Sequence, residues 1–140
     1  MSVFVHYRLG PSRVHGVGCF AEQDIPEGAL IACASPWDVT LTTQAFEALP
    51  EDDQREVRHH GHFDKVDGLW HVDFDMTRFA NHSSCPNVRQ EYDAQRRYRI
   101  VALRDIACGE ELLIDYADFE DDSAYRQLVP HVQASGTEPA

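Results

Sequence analysis

Three stretches of this chain hold residues whose types and spacing could do chemistry. Arg78-Phe79-Ala80-Asn81-His82-Ser83-Ser84-Cys85-Pro86-Asn87 packs amide, imidazole, hydroxyl and thiol groups into one short polar loop. Such a loop can offer a few fixed hydrogen-bonding groups to a ligand in an otherwise apolar pocket. Gly109-Glu110-Glu111-Leu112-Leu113-Ile114-Asp115-Tyr116 runs from a glycine turn through apolar residues to a phenol that could orient a reacting group. Near the start, His15-Gly16-Val17-Gly18 could let the backbone approach a ligand that bulkier side chains would hold away. Taken singly, each has a plainer reading. Gly-x-Gly usually marks a turn or bulge, Asn, Ser and Pro form turns, His82 can be a hydrogen-bonded core histidine, and Tyr116 can end a strand with its hydroxyl at the surface.

The elements that must position these groups read as mostly β. Phe4 to Leu9 has strand composition and is broken by Gly10-Pro11-Ser12; Val17 to Ala21 and Ala29 to Ala34 follow as strands, with a turn at Asp24 to Gly28 between them. Thr42 or Thr43 can cap a helix through Leu49, and Pro50 opens a second helix from Glu51 to about Arg58. Its Glu-Asp-Asp start suits the positive end of a helix dipole. His59-His60-Gly61-His62 ends that helix. Leu69 to Phe74 alternates like a strand, Val88 to Tyr92 and Arg97 to Leu103 form a hairpin, and Leu112 to Tyr116 is the last strand.

Other features read more simply. The histidines at 59, 60 and 62 lack a partner at diagnostic metal-ligand spacing, so no metal site is assigned. Arg96-Arg97-Tyr98-Arg99 reads as the solvated face of a hairpin strand. Cys19, Cys33, Cys85 and Cys108 form no Cys-x-x-Cys pair and read as reduced thiols. The 140-residue chain is about one domain long, and no apolar run reaches the roughly 20 residues that cross a bilayer. With no targeting signal at its start, the expected place is the cytoplasm, or the nucleus in a eukaryotic source. A net charge of −12 counts against nucleic acid and favours a basic partner. Seven acids and no base lie between Gly109 and Asp122.

Together, and in this order, the three stretches resemble the SET-domain family of protein-lysine methyltransferases, over roughly residues 14 to 119. The loop follows the family's Arg-Phe-x-Asn-His-Ser-x-x-Pro-Asn pattern; Ser84 takes the place of the usual cysteine and Cys85 the variable place. The resemblance implies a SET-domain fold of several small sheets over 1–120, with a variable helical insert at about 42–62. It implies a C-terminal pseudoknot that carries Tyr116 to the Asn-His loop; beyond it, the flank at 121–140 is polar after Pro130 and is expected to fray at its end. S-adenosyl-L-methionine is the implied cofactor, approached by His15, Gly16, Val17 and Gly18 and held by Asn81 and His82. Tyr116 is the implied catalytic residue, with Glu111 and Asp115 as structural hydrogen-bonders.

The implied reaction passes a methyl group to a lysine of a basic protein or peptide. It needs a neutral amine and a straight approach, which a narrow, water-poor channel supplies by desolvation and positioning. The family often places a second tyrosine in that channel, upstream of the Asn-His loop. None occurs between Tyr7 and Tyr92, and His62, Phe63 and Trp70 read as packing. Phe119 and Tyr125 could close the site where relatives use a cysteine-rich zinc module, on a short helix from near Asp121. A catalytically silent SET-fold module that binds peptide or cofactor is the alternative. A homodimer could complete so small a pocket.

Overall fold

The computed structural model describes residues 1–120; Tyr125, the helix expected near Asp121 and the C-terminal end lie outside the described residues. Eleven short strands and two helices make up the described part. The core sheet has four antiparallel strands in the order β1 (Ser2–Val3), β4 (Leu30–Cys33), β10 (Tyr98–Ala102), β9 (Val88–Tyr92). Ile31, Ala32, Ile100, Ala102 and Val88 of this sheet are buried in one core cluster with Cys19, Ile25, Met76, Ile106 and Leu112. Burial holds the Cys19 thiol up to about 12, so it packs as a small apolar group. All four cysteines are free thiols.

β2 (Tyr7–Pro11) and β3 (Val17–Ala21) form a hairpin of their own. The break expected at Gly10-Pro11 does not occur: both residues pair across the hairpin, with Gly18 and Val17. A two-stranded ribbon has only edges, so the proline's missing N–H costs no ladder bond on its free side.

Residues 39–72, which include the segment expected as an insert at about 42–62, hold α1 (Thr43–Glu47), α2 (Glu51–His60) and a three-stranded sheet in the order β5 (Val39–Leu41), β7 (Leu69–Val72), β6 (Gly61–Asp64). Thr42 caps α1 by accepting from the Ala45 amide at 3.1 Å, as its position predicts. Phe46 of α1 stacks on Trp70 at 4.2 Å between centroids, Phe63 meets Trp70 edge-on, and Arg58 lies over Phe46. Phe63 and Trp70 are therefore packing groups, as expected. β6 was not expected. It begins at Gly61 because a Cβ there would lie 2.3 Å from the His71 carbonyl oxygen, so only glycine lets the strand close on β7.

The Arg96–Arg99 segment corrects the solvated-face expectation. Arg97 and Arg99 are exposed, whereas Tyr98 is buried beside Ile100. The two-residue period of β10 puts the arginines on one face and Tyr98 on the core face.

Among the described residues no helix is long and apolar enough to cross a membrane. A last, parallel pair, β8 (Asn81–His82) with β11 (Leu113–Ile114), joins the polar loop to the C-terminal segment.

Candidate functional site

The β8–β11 pairing sets Leu113 beside Asn81 and Ile114 beside His82. Asn87 fastens the join. Its side chain donates to the Glu111 carbonyl at 2.8 Å and accepts from the Leu113 amide at 2.8 Å, while its own amide donates to the Leu113 carbonyl. The Ser83 amide donates to the Ile114 carbonyl. Asn87 itself is buried, which strengthens the bonds that its side chain makes. The loop at 81–87 is thus a clasp on the strand that leads to Tyr116.

Asn81 ties in the third stretch. Its Nδ2 donates to the His15 carbonyl at 3.0 Å, the Val17 carbonyl at 3.3 Å and Glu111 Oε1 at 3.0 Å. That nitrogen is fully used, so Asn81 shapes the wall. Gly18 makes room for this arrangement: a Cβ there would lie 2.1 Å from Glu111 Oε1. The Gly16 backbone has a φ of +48°, in the left-handed region that glycine tolerates best. The glycines therefore serve the wall itself, and the pocket is bordered on this side by Val14 and His15, not by Gly16, Val17 or Gly18.

Tyr116 follows β11 at the start of a 3-10 turn, Tyr116–Asp118, capped by the Asp115 carboxylate accepting from the Ala117 amide. Its hydroxyl donates to the Ala80 carbonyl at 2.8 Å, and its amide donates to His82 Nδ1 at 3.3 Å. The His82 and Tyr116 rings lie 5.4 Å apart, and His82 Nδ1 stands 3.7 Å from Asp115. Phe119, buried, packs against Tyr116 at 5.8 Å and against His62 at 4.8 Å. Its carbonyl accepts from the Lys65 amide, which pins this turn to the insert. His62, expected as packing, is thus part of the pocket wall, and so is Phe119.

One pocket, of about 180 Å³, gathers His15, Asn81, His82 and Tyr116. Arg78, His59 and His60 stand along it as well, and Arg78 Nη2 lies 2.9 Å from His60 Nδ1. Asp73, Gln90 and Tyr98 also line it, although none belongs to the three motif stretches. Tyr98 was legible from the strand period; Asp73 carried no local signal. The Asp73 carboxylate is pushed up to about 6 by burial and then by Asp75. Burial, then His71 nearby, pushes His62 down to about 4, so its ring is neutral at neutral pH. The Met1 amino group contacts Asp38 and, at 2.7 Å, Asp75. Burial raises the Tyr98 phenol, whose hydroxyl donates to Asp38 at 3.3 Å.

His59, His60 and His62 do not converge on one point: His60 reaches Arg78 and Glu56, while His62 turns inward to Asp73. Asp64, Asp67 and His71 do bring three possible ligand atoms together. Those atoms already have partners. Asp64 accepts from Tyr92, Gln90 and the Val66 amide, and His71 Nε2 is 2.7 Å from Asp67.

The pocket's donor set suits a ligand with an anionic end, an apolar body and a cationic centre. Arg78 complements an anion; Val14, Ile114, Tyr116 and Phe119 offer apolar and aromatic faces; Asp73 complements a cation.

A family model described as the SET domain matches residues 16–117. The human and mouse proteins named Histone-lysine N-methyltransferase 2D are each 28% identical over 122 residues, covering 81% of this chain. The chain spans about 2% of the length of these curated relatives. Among solved structures, a Plasmodium falciparum protein described as a histone methyltransferase superposes with a TM-score of 0.58 at 21% identity, over 81% of this chain and 95% of that one. Chaetomium thermophilum Polycomb Repressive Complex 2, in an autoinhibited conformation bound to S-adenosylmethionine, superposes with a TM-score of 0.62 at 21% identity. That match covers 92% of this chain and 17% of the other.

Proposed function

The chain belongs to the SET-domain family, and from that premise we propose that it transfers methyl groups from S-adenosyl-L-methionine to lysine side chains of a basic protein or peptide. One observation carries the reading: residues 81–82 and Tyr116, far apart in sequence, line a single pocket whose chemistry matches a zwitterionic sulfonium. When bound, the cofactor supplies an electrophilic methyl on a positively charged sulfur. Arg78 and His15 would hold its carboxylate end, and the Val14, Ile114 and Phe119 faces its nucleoside.

The chain's own groups account for the rest. Tyr116 is fixed at both ends, by Ala80 through its hydroxyl and by His82 through its amide, so its ring is a rigid wall for an incoming amine. His82 sets the entry angle of the turn that carries Tyr116. Phe119, packed against both Tyr116 and His62, excludes water beside the phenol, which disfavours the charged form of a buried lysine. The net charge of −12 supports a basic partner; the proposal places the reaction in the cytoplasm, or the nucleus in a eukaryotic source, and a second copy of the chain could extend the pocket wall.

Incubation with methyl-labelled cofactor and a pool of basic proteins is the test. Labelled lysines are expected. Cofactor binding without any labelled lysine would instead make the protein a silent binding module.

A further inference from the structure

Asp73 follows β7 and lines the same pocket as Tyr116. Its side chain is only 13% exposed, yet among the described residues its carboxylate receives no hydrogen bond; the neutral His62 ring stands beside it, with Nδ1 at 3.8 Å. The acids beside it are engaged elsewhere. Asp75 accepts from the Met1 amino group and from the amide and hydroxyl of Thr77. Asp38 accepts from Met1, Ser35 and Tyr98. A buried carboxylate with unused lone pairs, open to a cavity, is costly unless something arrives to use them.

We propose that Asp73 accepts the proton of the substrate ammonium inside the pocket, directly or through one water. This rests on the methyltransferase reading of the same site. In the step, one N–H bond of the ammonium breaks and its electron pair stays on nitrogen as the attacking lone pair. The proton forms an O–H bond on Asp73, and an ammonium–carboxylate pair becomes a neutral amine and a neutral acid. No net charge is created in the low-dielectric site, and the proton later leaves to solvent.

The surroundings suit the task. The groups facing Asp73 are His62 of β6, His71 of β7, Tyr98 of β10, and Asp75 and Asp38 with the Met1 amino group. Burial and the neighbouring acids favour its protonated form, while His71 and the Met1 amino group oppose this. The balance leaves it titrating near 6, close enough to neutrality both to be ionised at the start and to hold a proton briefly.

Carbon-13 NMR of the Asp73 carboxyl in wild-type, cofactor-free protein tests the placement without a variant or turnover. A lysine-containing basic peptide should lower the carboxyl's titration midpoint, and the same peptide with norleucine for that lysine should not. No difference between the two peptides overturns the proposal. Kinetics test the role. At saturating cofactor, Asp73→Asn should lose on the order of 100-fold in turnover at neutral pH. It should recover at higher pH, and with aminoethylcysteine replacing the target lysine, because that amine is less basic. A variant with wild-type rate and pH profile overturns the proposal alone. A wild type that binds cofactor and methylates no lysine overturns it together with the function it rests on.

Discussion

At the residue scale, the site is built from side chains that hold one another before they hold any ligand. Tyr116 is the clearest case, since its hydroxyl already donates to Ala80. Tyr116→Phe should cost about 1 kcal/mol of stability by removing that bond, and on the order of 100-fold in turnover. Cofactor affinity by calorimetry should stay within about twofold. Asn81→Ala removes the donor shared by His15, Val17 and Glu111, two backbone carbonyls and a carboxylate. A loss of about 1–3 kcal/mol in denaturant unfolding is expected, with weaker cofactor binding as the wall relaxes. Gly18→Ala acts on the same knot. The new methyl would displace Glu111 from Asn81, so a similar loss of stability should appear. A melting temperature equal to wild type for Gly18→Ala would show that Glu111 yields freely.

At the element scale, what the sequence made legible depended on whether periodicity or long-range pairing decided the outcome. The helices and the β9–β10 hairpin were readable because caps, acidic first turns and alternation are local signals. Strand β6 was not, because Gly61 starts it for the sake of the His71 carbonyl, ten positions away in sequence. Tyr98 stood among arginines and looked solvated, yet the strand period already assigned it to Ile100's face. The Asn-His loop and Tyr116 were legible as candidates through their motifs; Asp73 and the wall formed by His62 and Phe119 exist only once β6, β7 and the last turn meet. That meeting predicts a pH signature. His62 titrates near 4 when folded against an ordinary value of 6.5, so in the pH 4–6.5 window the unfolded chain binds the extra proton. This residue's contribution is therefore present above 6.5 and lost as pH falls toward 4. Asp73, raised to about 6, acts in the opposite sense between 3.8 and 6. His62→Gln should then gain on wild type by about 3 kcal/mol as pH drops from 6.5 to 4. Paired urea titrations would show it, and a pH-independent difference would contradict the burial of that ring.

At the scale of the whole molecule, four small sheets do one thing that no single sheet could. The hairpin carrying His15, the clasp at Asn81–Asn87, the insert carrying His62 and the terminal turn carrying Tyr116 come from four regions of the sequence, and they close on one cavity. The chain's net charge of −12 predicts that affinity for a basic peptide falls as salt rises, since exposed charges are screened over about 10 Å at 0.1 M. Affinity for the cofactor, held inside the pocket, should change less. The most direct measurement of the account is chemical-shift mapping with S-adenosyl-L-methionine added to the wild-type protein. The account predicts perturbations at His15, Asn81, His82, Tyr116 and Phe119, with the outer hairpin face at Arg97 and Arg99 unmoved. Saturable shifts elsewhere that leave His82 and Tyr116 untouched, or no shifts at all, would contradict it.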